Sequence, residues 1–292
     1  MQKRGHVGRR WRLGGVGVLI GMAALVLAVG PAWATSYTLT DLNSVAELCV
    51  TPSGTAGAPG VMSWNVDGVN QIKRQWFWFR IGNTAAETPL DNLTLMRTKQ
   101  NDNTDEDGID SLTLTYQGQG LKATILYQLN GAAFGSRESV INETITLTNV
   151  GSSTLDLHFF QYTDANLGDS AGNDVLSMMN RNTILQTGSG SDHTLMETVV
   201  TPAATYYDLA SASFLYGEMT DSAATTLGDH GSTVAGDVAW AYQWDFQLTP
   251  NGSFSIGEAD RIGHAPEPLT MTALFAAVAG LGAYVRKRKM QG

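Results

Sequence analysis

Between Asn101 and Asp110 the chain reads NDNTDEDGID, a loop dense in carboxylates and side-chain amides. Ca²⁺ takes roughly six to eight oxygen ligands, and alternating Asp and Asn in a tight loop delivers several to one point. Asn103, Asp105 and Asp107 followed by Gly108 match the opening of an EF-hand-type loop, and Asp110 adds a fourth oxygen donor. Leu114 stands where the closing bidentate Glu belongs, and the next segment reads as strand. The expectation is therefore a looser Ca²⁺ site, or a solvated turn between strands. A second candidate is Gln75-Trp76-Phe77-Trp78-Phe79-Arg80. Strand alternation puts Trp76, Trp78 and Arg80 on one side and the two Phe on the other. With the Phe side in the core, Trp76 and Trp78 would form a stacking platform for sugar rings; a strand buried on both faces accounts for the same letters. Catalytic patterns do not emerge. His158, His193, His230 and His264 lack metal-ligand spacing, and no H-E-x-x-H, G-x-S-x-G or P-loop pattern occurs. A glycosidase-like carboxylate pair depends on separation in space, which a sequence does not display.

The elements that would position these residues are strands. Leu121, Ala123, Ile125, Tyr127 and Leu129 share one side of a strand, preceded by Leu112, Leu114 and Tyr116 across Gln117–Gly120. A second hairpin is predicted from Ile141, Ile145 and Leu147 through Gly151-Ser152-Ser153 to Leu155, Leu157 and Phe159. A third runs from Trp240, Tyr242, Trp244, Phe246 and Leu248 through Pro250-Asn251-Gly252 into Ser253–Gly257. Ala56–Gly60 and Ser222–Gly236 read as loops. Short alternating segments punctuated by Gly and Asn predict an all-β domain, an antiparallel β-sandwich of jelly-roll or Ig-like type, over residues 35–262. The run NETITLTNVGSSTLDLHFF resembles sandwich modules of bacterial surface proteins, a likeness of architecture that implies no activity.

The two ends read differently. Lys3, Arg4, Arg9, Arg10 and Arg12 precede an apolar run, Leu13 to Val29, and then Ala32-Trp33-Ala34. Basic head, apolar middle and A-x-A exit predict a signal peptide over residues 1–34, cut between Ala34 and Thr35. At the other end, residues 263–292 hold Pro266-Glu267-Pro268, an uncharged stretch from Leu269 to Val285, and Arg286-Lys287-Arg288-Lys289. As a helix, residues 269–285 would rise about 25 Å, close to the roughly 30 Å of a bilayer core. The basic cluster would stay cytoplasmic, with the preceding domain outside. Tripeptide, apolar helix and terminal basic cluster in this order resemble the PEP-CTERM sorting signal of Gram-negative bacteria. The resemblance covers the last 27 or so residues. It implies an exosortase-type membrane protease/transpeptidase as partner, release or transfer to the cell surface, and an association with exopolysaccharide and biofilm.

Composition bounds what lies between. The chain has 18 basic and 27 acidic residues; without the nine basic residues of its two ends, the exported part carries a net charge near −18. That charge argues against nucleic acid or an anionic bilayer as partner. A single cysteine, Cys49, permits no internal disulfide, so the domain relies on its core, and Cys49 is expected as a small buried side chain. The reading is a non-enzymatic, exported cell-surface or extracellular-matrix protein, in the membrane only through its C-terminal helix before processing. It needs no cofactor, with Ca²⁺ the one ion the acidic loop suggests. Its rivals are a carbohydrate-binding module or glycan-active enzyme on the same scaffold, and a Ca²⁺-stabilised adhesin.

Overall fold

The computed structural model describes residues 35–51, 59–103, 108–170, 172–188 and 193–264. They form eighteen strands. The first half comprises β1 (Thr35–Asp41), β2 (Ser44–Thr51), β3 (Gly60–Val66), β4 (Val69–Asn70), β5 (Arg74–Ile81), β6 (Thr88–Pro89), β7 (Thr94–Asn101), β8 (Ser111–Gly118) and β9 (Leu121–Gly131). The second comprises β10 (Ser139–Asn149), β11 (Leu155–Asp164), β12 (Asp174–Asn180), β13 (Thr183–Gly188), β14 (His193–Thr201), β15 (Tyr206–Ser211), β16 (Thr233–Gly236), β17 (Val238–Leu248) and β18 (Ser253–His264). One helix, α1 (Ala212–Thr220), follows β15.

The strands build two antiparallel sheets of nine. One runs β1-β2-β3-β5-β11-β17-β15, with β4 on β3 and β6 on β5; the other runs β16-β12-β13-β14-β18-β10-β9-β8-β7. The expected all-β sandwich is therefore present, at twice the strand number of an Ig domain or jelly roll. The first predicted hairpin is β8–β9, turning at Gln119 and Gly120, both at positive φ, with the file Leu121, Ala123, Ile125, Tyr127 and Leu129 wholly buried.

The other two predicted hairpins are not hairpins. β10 lies in one sheet and β11 in the other, and β17 and β18 are divided in the same way. Each Gly- or Asn-containing turn carries the chain across the sandwich. β10 pairs with β18 and β11 with β17, so the two crossings lie together. Asn149 ties them: its Nδ2 donates to Ser153 O and Leu248 O at 2.7 and 2.8 Å, and its Oδ1 accepts from Gly151 N. Its backbone bonds Gly252 and Asn251. Alternation could not reveal this, because a strand presents the same apolar file whether its successor pairs beside it or faces it. Thr233–Gly236, expected as loop, instead forms the edge strand β16 on β12.

The face of the first sheet turned away from the second is also covered. α1 lays Ala212, Leu215 and Met219 against it, and the following segment adds Leu227, whose backbone N–H bonds Gln243 Oε1. That cover explains why β17 is buried on both faces from Val238 to Trp244. Cys49 is buried on β2 as expected.

Candidate functional site

Two places concentrate reactive side chains. One is a cleft where strands of the first sheet meet α1. Arg74 opens β5 and Asp164 closes β11, and the two are register partners; Lys73 N donates to Asp164 O. Asp237 precedes β17, and its carbonyl accepts from Ala212 N at the start of α1. These ends, with Tyr162, Ser213 and Tyr216, line a cavity of about 240 Å³.

Asp164 is almost wholly buried at this cavity. Its Oδ2 receives Lys73 Nζ at 3.1 Å, and the Tyr162 hydroxyl lies 3.3 Å from it and 3.1 Å from Ala212 O. Its Oδ1 has no hydrogen-bond partner. Burial raises the carboxyl's pKa above the ordinary range, against the opposing pull of the Lys73 ammonium. Tyr162 is pushed up as well, by burial and then by the Asp164 charge. The guanidinium of Arg74 lies 4.6 Å over the ring of Tyr216, which packs edge-on to Trp78 and tilted to Tyr162.

The second place is inside the sandwich. Glu143 on β10 stands beside Glu258 on β18, and Glu197 on β14 beside Asp260. All four are at most 4% exposed. From the opposite sheet Trp240 Nε1 donates to Glu197 Oε2 at 2.7 Å, Thr163 Oγ1 to the same atom at 3.4 Å, and Gln75 Nε2 to Asp260 Oδ2 at 3.3 Å. Both oxygens of Glu143 and of Glu258, and the hydroxyls of Tyr127 and Tyr242, lack partners of normal geometry. Among the described residues no ion pair includes any of the four acids.

Charges so placed cannot coexist. Burial, then the neighbouring acids, hold Glu143, Glu197 and Glu258 well above the usual carboxylate range. Burial pushes Asp260 up to about 7, opposed by a hydrogen bond with Glu197. The quartet is thus a layer of carboxylic acids that bind their protons more tightly than solvated carboxylates do. Among the described residues no three acidic, His or Cys side chains are set to hold a metal ion.

The tryptophan platform does not form. Trp76 and Trp78 are 0% and 3% exposed. Trp76 donates its Nε1 to Asp91, and Trp78 packs under Tyr162 and Tyr216. Arg80, on the same strand, is buried in an ion pair with Glu87 at 2.7 Å and bonds Thr225 O. The cover from α1 and the segment after it puts this face in the interior. In the acidic loop, Asp105 and Asp107 lie outside the described residues. Of the rest, Asn103 N donates to the buried Asp110 carboxylate at 3.0 Å. The sorting and cleavage residues Ala32, Ala34, Pro266–Pro268 and Arg286–Lys289, and the expected span 269–285, also lie outside; Thr35 begins β1. Among the described residues no helix is long and apolar enough to cross a membrane. The histidines stay apart: His158 bonds Asp245 at 2.7 Å, His230 meets Asp208 and His264 meets Ser136 O.

Neither place was read from the sequence. A signal for the quartet is nevertheless there: Ile141-x-Glu143-x-Ile145, Leu195-x-Glu197-x-Val199 and Ile256-x-Glu258-x-Asp260-x-Ile262 each seat an acid in an apolar file.

No protein-family model and no curated protein sequence matches the chain. Solved structures do. A bacterial glucoamylase complexed with acarbose superposes with a TM-score of 0.52 at 10% identity, over 84% of this chain and 36% of that one. A putative aldose 1-epimerase from Escherichia coli K12 superposes with a TM-score of 0.51 at 11% identity, over 80% of this chain and 100% of the other. The domain shares its fold with carbohydrate-active proteins. This fold likeness overturns the expectation of a non-enzymatic domain in favour of its rival on the same scaffold, the carbohydrate-binding or glycan-active domain, and it does not bear on the expected export. The chain spans about a third of the glucoamylase's length, so the likeness concerns the sandwich and not that enzyme's activity.

Proposed function

We propose that this is a carbohydrate-active domain that binds a saccharide in the cleft beside α1 and performs acid–base chemistry at its anomeric centre. Asp164 is the proton-transferring group. The observation that carries the reading is a carboxyl with a raised pKa at the wall of a cavity, oriented by Lys73 and Tyr162 and with one oxygen unpartnered. A carboxyl moved upward by burial is better placed than a solvated one to give a proton to a sugar oxygen and take it back. Asp237, at the exposed rim of the same cavity, supplies a second carboxylate, the pairing on which glycosidic cleavage depends. The fold likeness to the glucoamylase and the putative epimerase supports the substrate class.

The test is a panel of aldoses and oligosaccharides incubated with the purified chain, followed by polarimetry for anomeric exchange and by reducing-sugar release for cleavage. Turnover that falls about 10²–10⁴-fold in Asp164→Asn, with an unchanged melting temperature, is expected for loss of an acid–base group. A wild-type chain that neither turns over nor binds any member of the panel refutes the reading.

The activity is assigned outside the cell. The basic, apolar and Ala-Trp-Ala order at the front, and the Pro-Glu-Pro tail with its terminal basic cluster, support export and an exosortase-type partner. Intact mass from the native host tests this: a species from Thr35 to about Pro266–Pro268 is expected, and one retaining Arg286–Lys289 in the membrane refutes it.

A further inference from the structure

We infer that the cleft takes an acidic saccharide, whose carboxylate or sulfate ester is received by Arg74. The inference rests on the cleft being the saccharide site and adds the class of sugar.

Basic side chains are scarce in this domain: nine Lys and Arg lie between residues 35 and 264. Two of them, adjacent in sequence, reach the same cavity. Lys73 is engaged by Asp164. Arg74 is not engaged: among the described residues no carboxylate pairs with it and no hydrogen bond uses its guanidinium, while its Nε is buried without a partner. Arg80, Arg181 and Arg261, by contrast, each have an acidic partner, in Glu87, Asp229 and Glu138.

A half-buried guanidinium with no anion is costly unless something else compensates it. Here the Tyr216 ring, 4.6 Å from the guanidinium carbon, provides a cation–π contact. Stacking fixes the plane of the group while leaving its terminal N–H edge free, and that edge matches the two oxygens of a carboxylate or sulfate. The anion would then sit beside Asp164, in a cavity of about 240 Å³. This is below the roughly 300–1,000 Å³ of ordinary ligand pockets, so it holds a single sugar unit or a chain end and not a stretch of polymer. A short ligand also meets less of the repulsion from the domain's overall negative charge, which is screened beyond about 8 Å at physiological salt.

The experiment is titration calorimetry of the full-length chain with four trisaccharides: oligogalacturonate, its methyl ester, a neutral galactose trimer and a 6-sulfated galactose trimer. Oligogalacturonate is expected to bind about 10- to 100-fold more tightly than its methyl ester, as a charge-assisted contact would give. Arg74→Gln should erase that preference without lowering the melting temperature, Arg74→Lys should restore part of it, and Arg97→Gln, an exposed charge on edge strand β7, should leave it unchanged. Preference for the sulfated trimer alone supports the acidic class and identifies the anion as a sulfate ester. Equal binding of acidic and neutral trimers, unaffected by Arg74→Gln, overturns the inference while leaving the saccharide site intact. No binding of any trimer overturns both.

Discussion

Acid should stabilise this domain, and neutralisation should weaken it. The cause is the quartet Glu143, Glu197, Glu258 and Asp260, which sits between the sheets with no cation among the described residues to balance it. Asp260 has its carboxyl pushed up to about 7 from an ordinary 3.8, chiefly by burial. The folded state therefore binds the proton more tightly than the unfolded chain, and stability is lost as pH rises from about 4 to about 7. Three units at about 1.4 kcal/mol each make this about 4 kcal/mol for Asp260 alone. The three glutamates shift in the same direction, again chiefly by burial, and add to the decline. Ordinary carboxylates are fully ionised by about pH 6, so general repulsion among surface acids adds little between pH 6 and 8. The assay is urea unfolding followed by tryptophan fluorescence at pH 5, 6, 7 and 8. The midpoint should fall steadily across the series. Histidine ionisation falls in the same window, and Asp260→Asn separates the two causes. That variant mimics the protonated acid, so its slope should be shallower and its stability at pH 8 above that of the wild type. A midpoint that is flat or rises from pH 5 to 8, or a variant with the wild-type slope, refutes the protonated layer.

Other changes test neighbouring parts of the argument. Trp240→Phe removes the 2.7 Å donor to Glu197 and should cost about 1–3 kcal/mol in the same urea assay, as expected for a buried charged or acidic acceptor left short of a partner. Asn149→Ala breaks three side-chain bonds that tie the two sheet-to-sheet crossings and should cost about 2–4 kcal/mol; a loss below 0.5, on the order of an ordinary surface change, would mean the crossings hold without it. Gly131→Ala brings a Cβ to 2.0 Å from the Asp41 carbonyl oxygen, so β9 or β1 must shift, and a melting temperature lowered by several degrees is expected.

Much of the local structure was legible. Alternation on β8 and β9 set which residues face inward, and Gln117–Gly120 marked the turn, because a pleated strand with one buried face writes its burial into every second letter. The targeting signals proposed for the two ends rest on linear order alone, and those residues lie outside the described ones. What the letters left open is which sheet each strand joins. The apolar files of β10 and β11 look the same paired in one sheet as facing across two, and Asn149 decides between them through contacts with Ser153 and, about a hundred residues away, Leu248. The letters of β5 fit either an open tryptophan face or a strand buried on both faces, and the cover from α1 and the following segment decides for burial. The candidate site has the same origin: Arg74, Asp164, Tyr216 and Asp237 are spread over more than 160 positions and carry no motif. Strand pairing at the β5–β11 end and the docking of α1 bring them to one cavity. The acids in the apolar files of β10, β14 and β18 were visible one by one, but only adjacency in the sheet makes them a quartet whose carboxyls are all shifted upward. Local order thus determined strands and turns, while electrostatics and reactivity, which depend on distance in space, were decided by the tertiary fold.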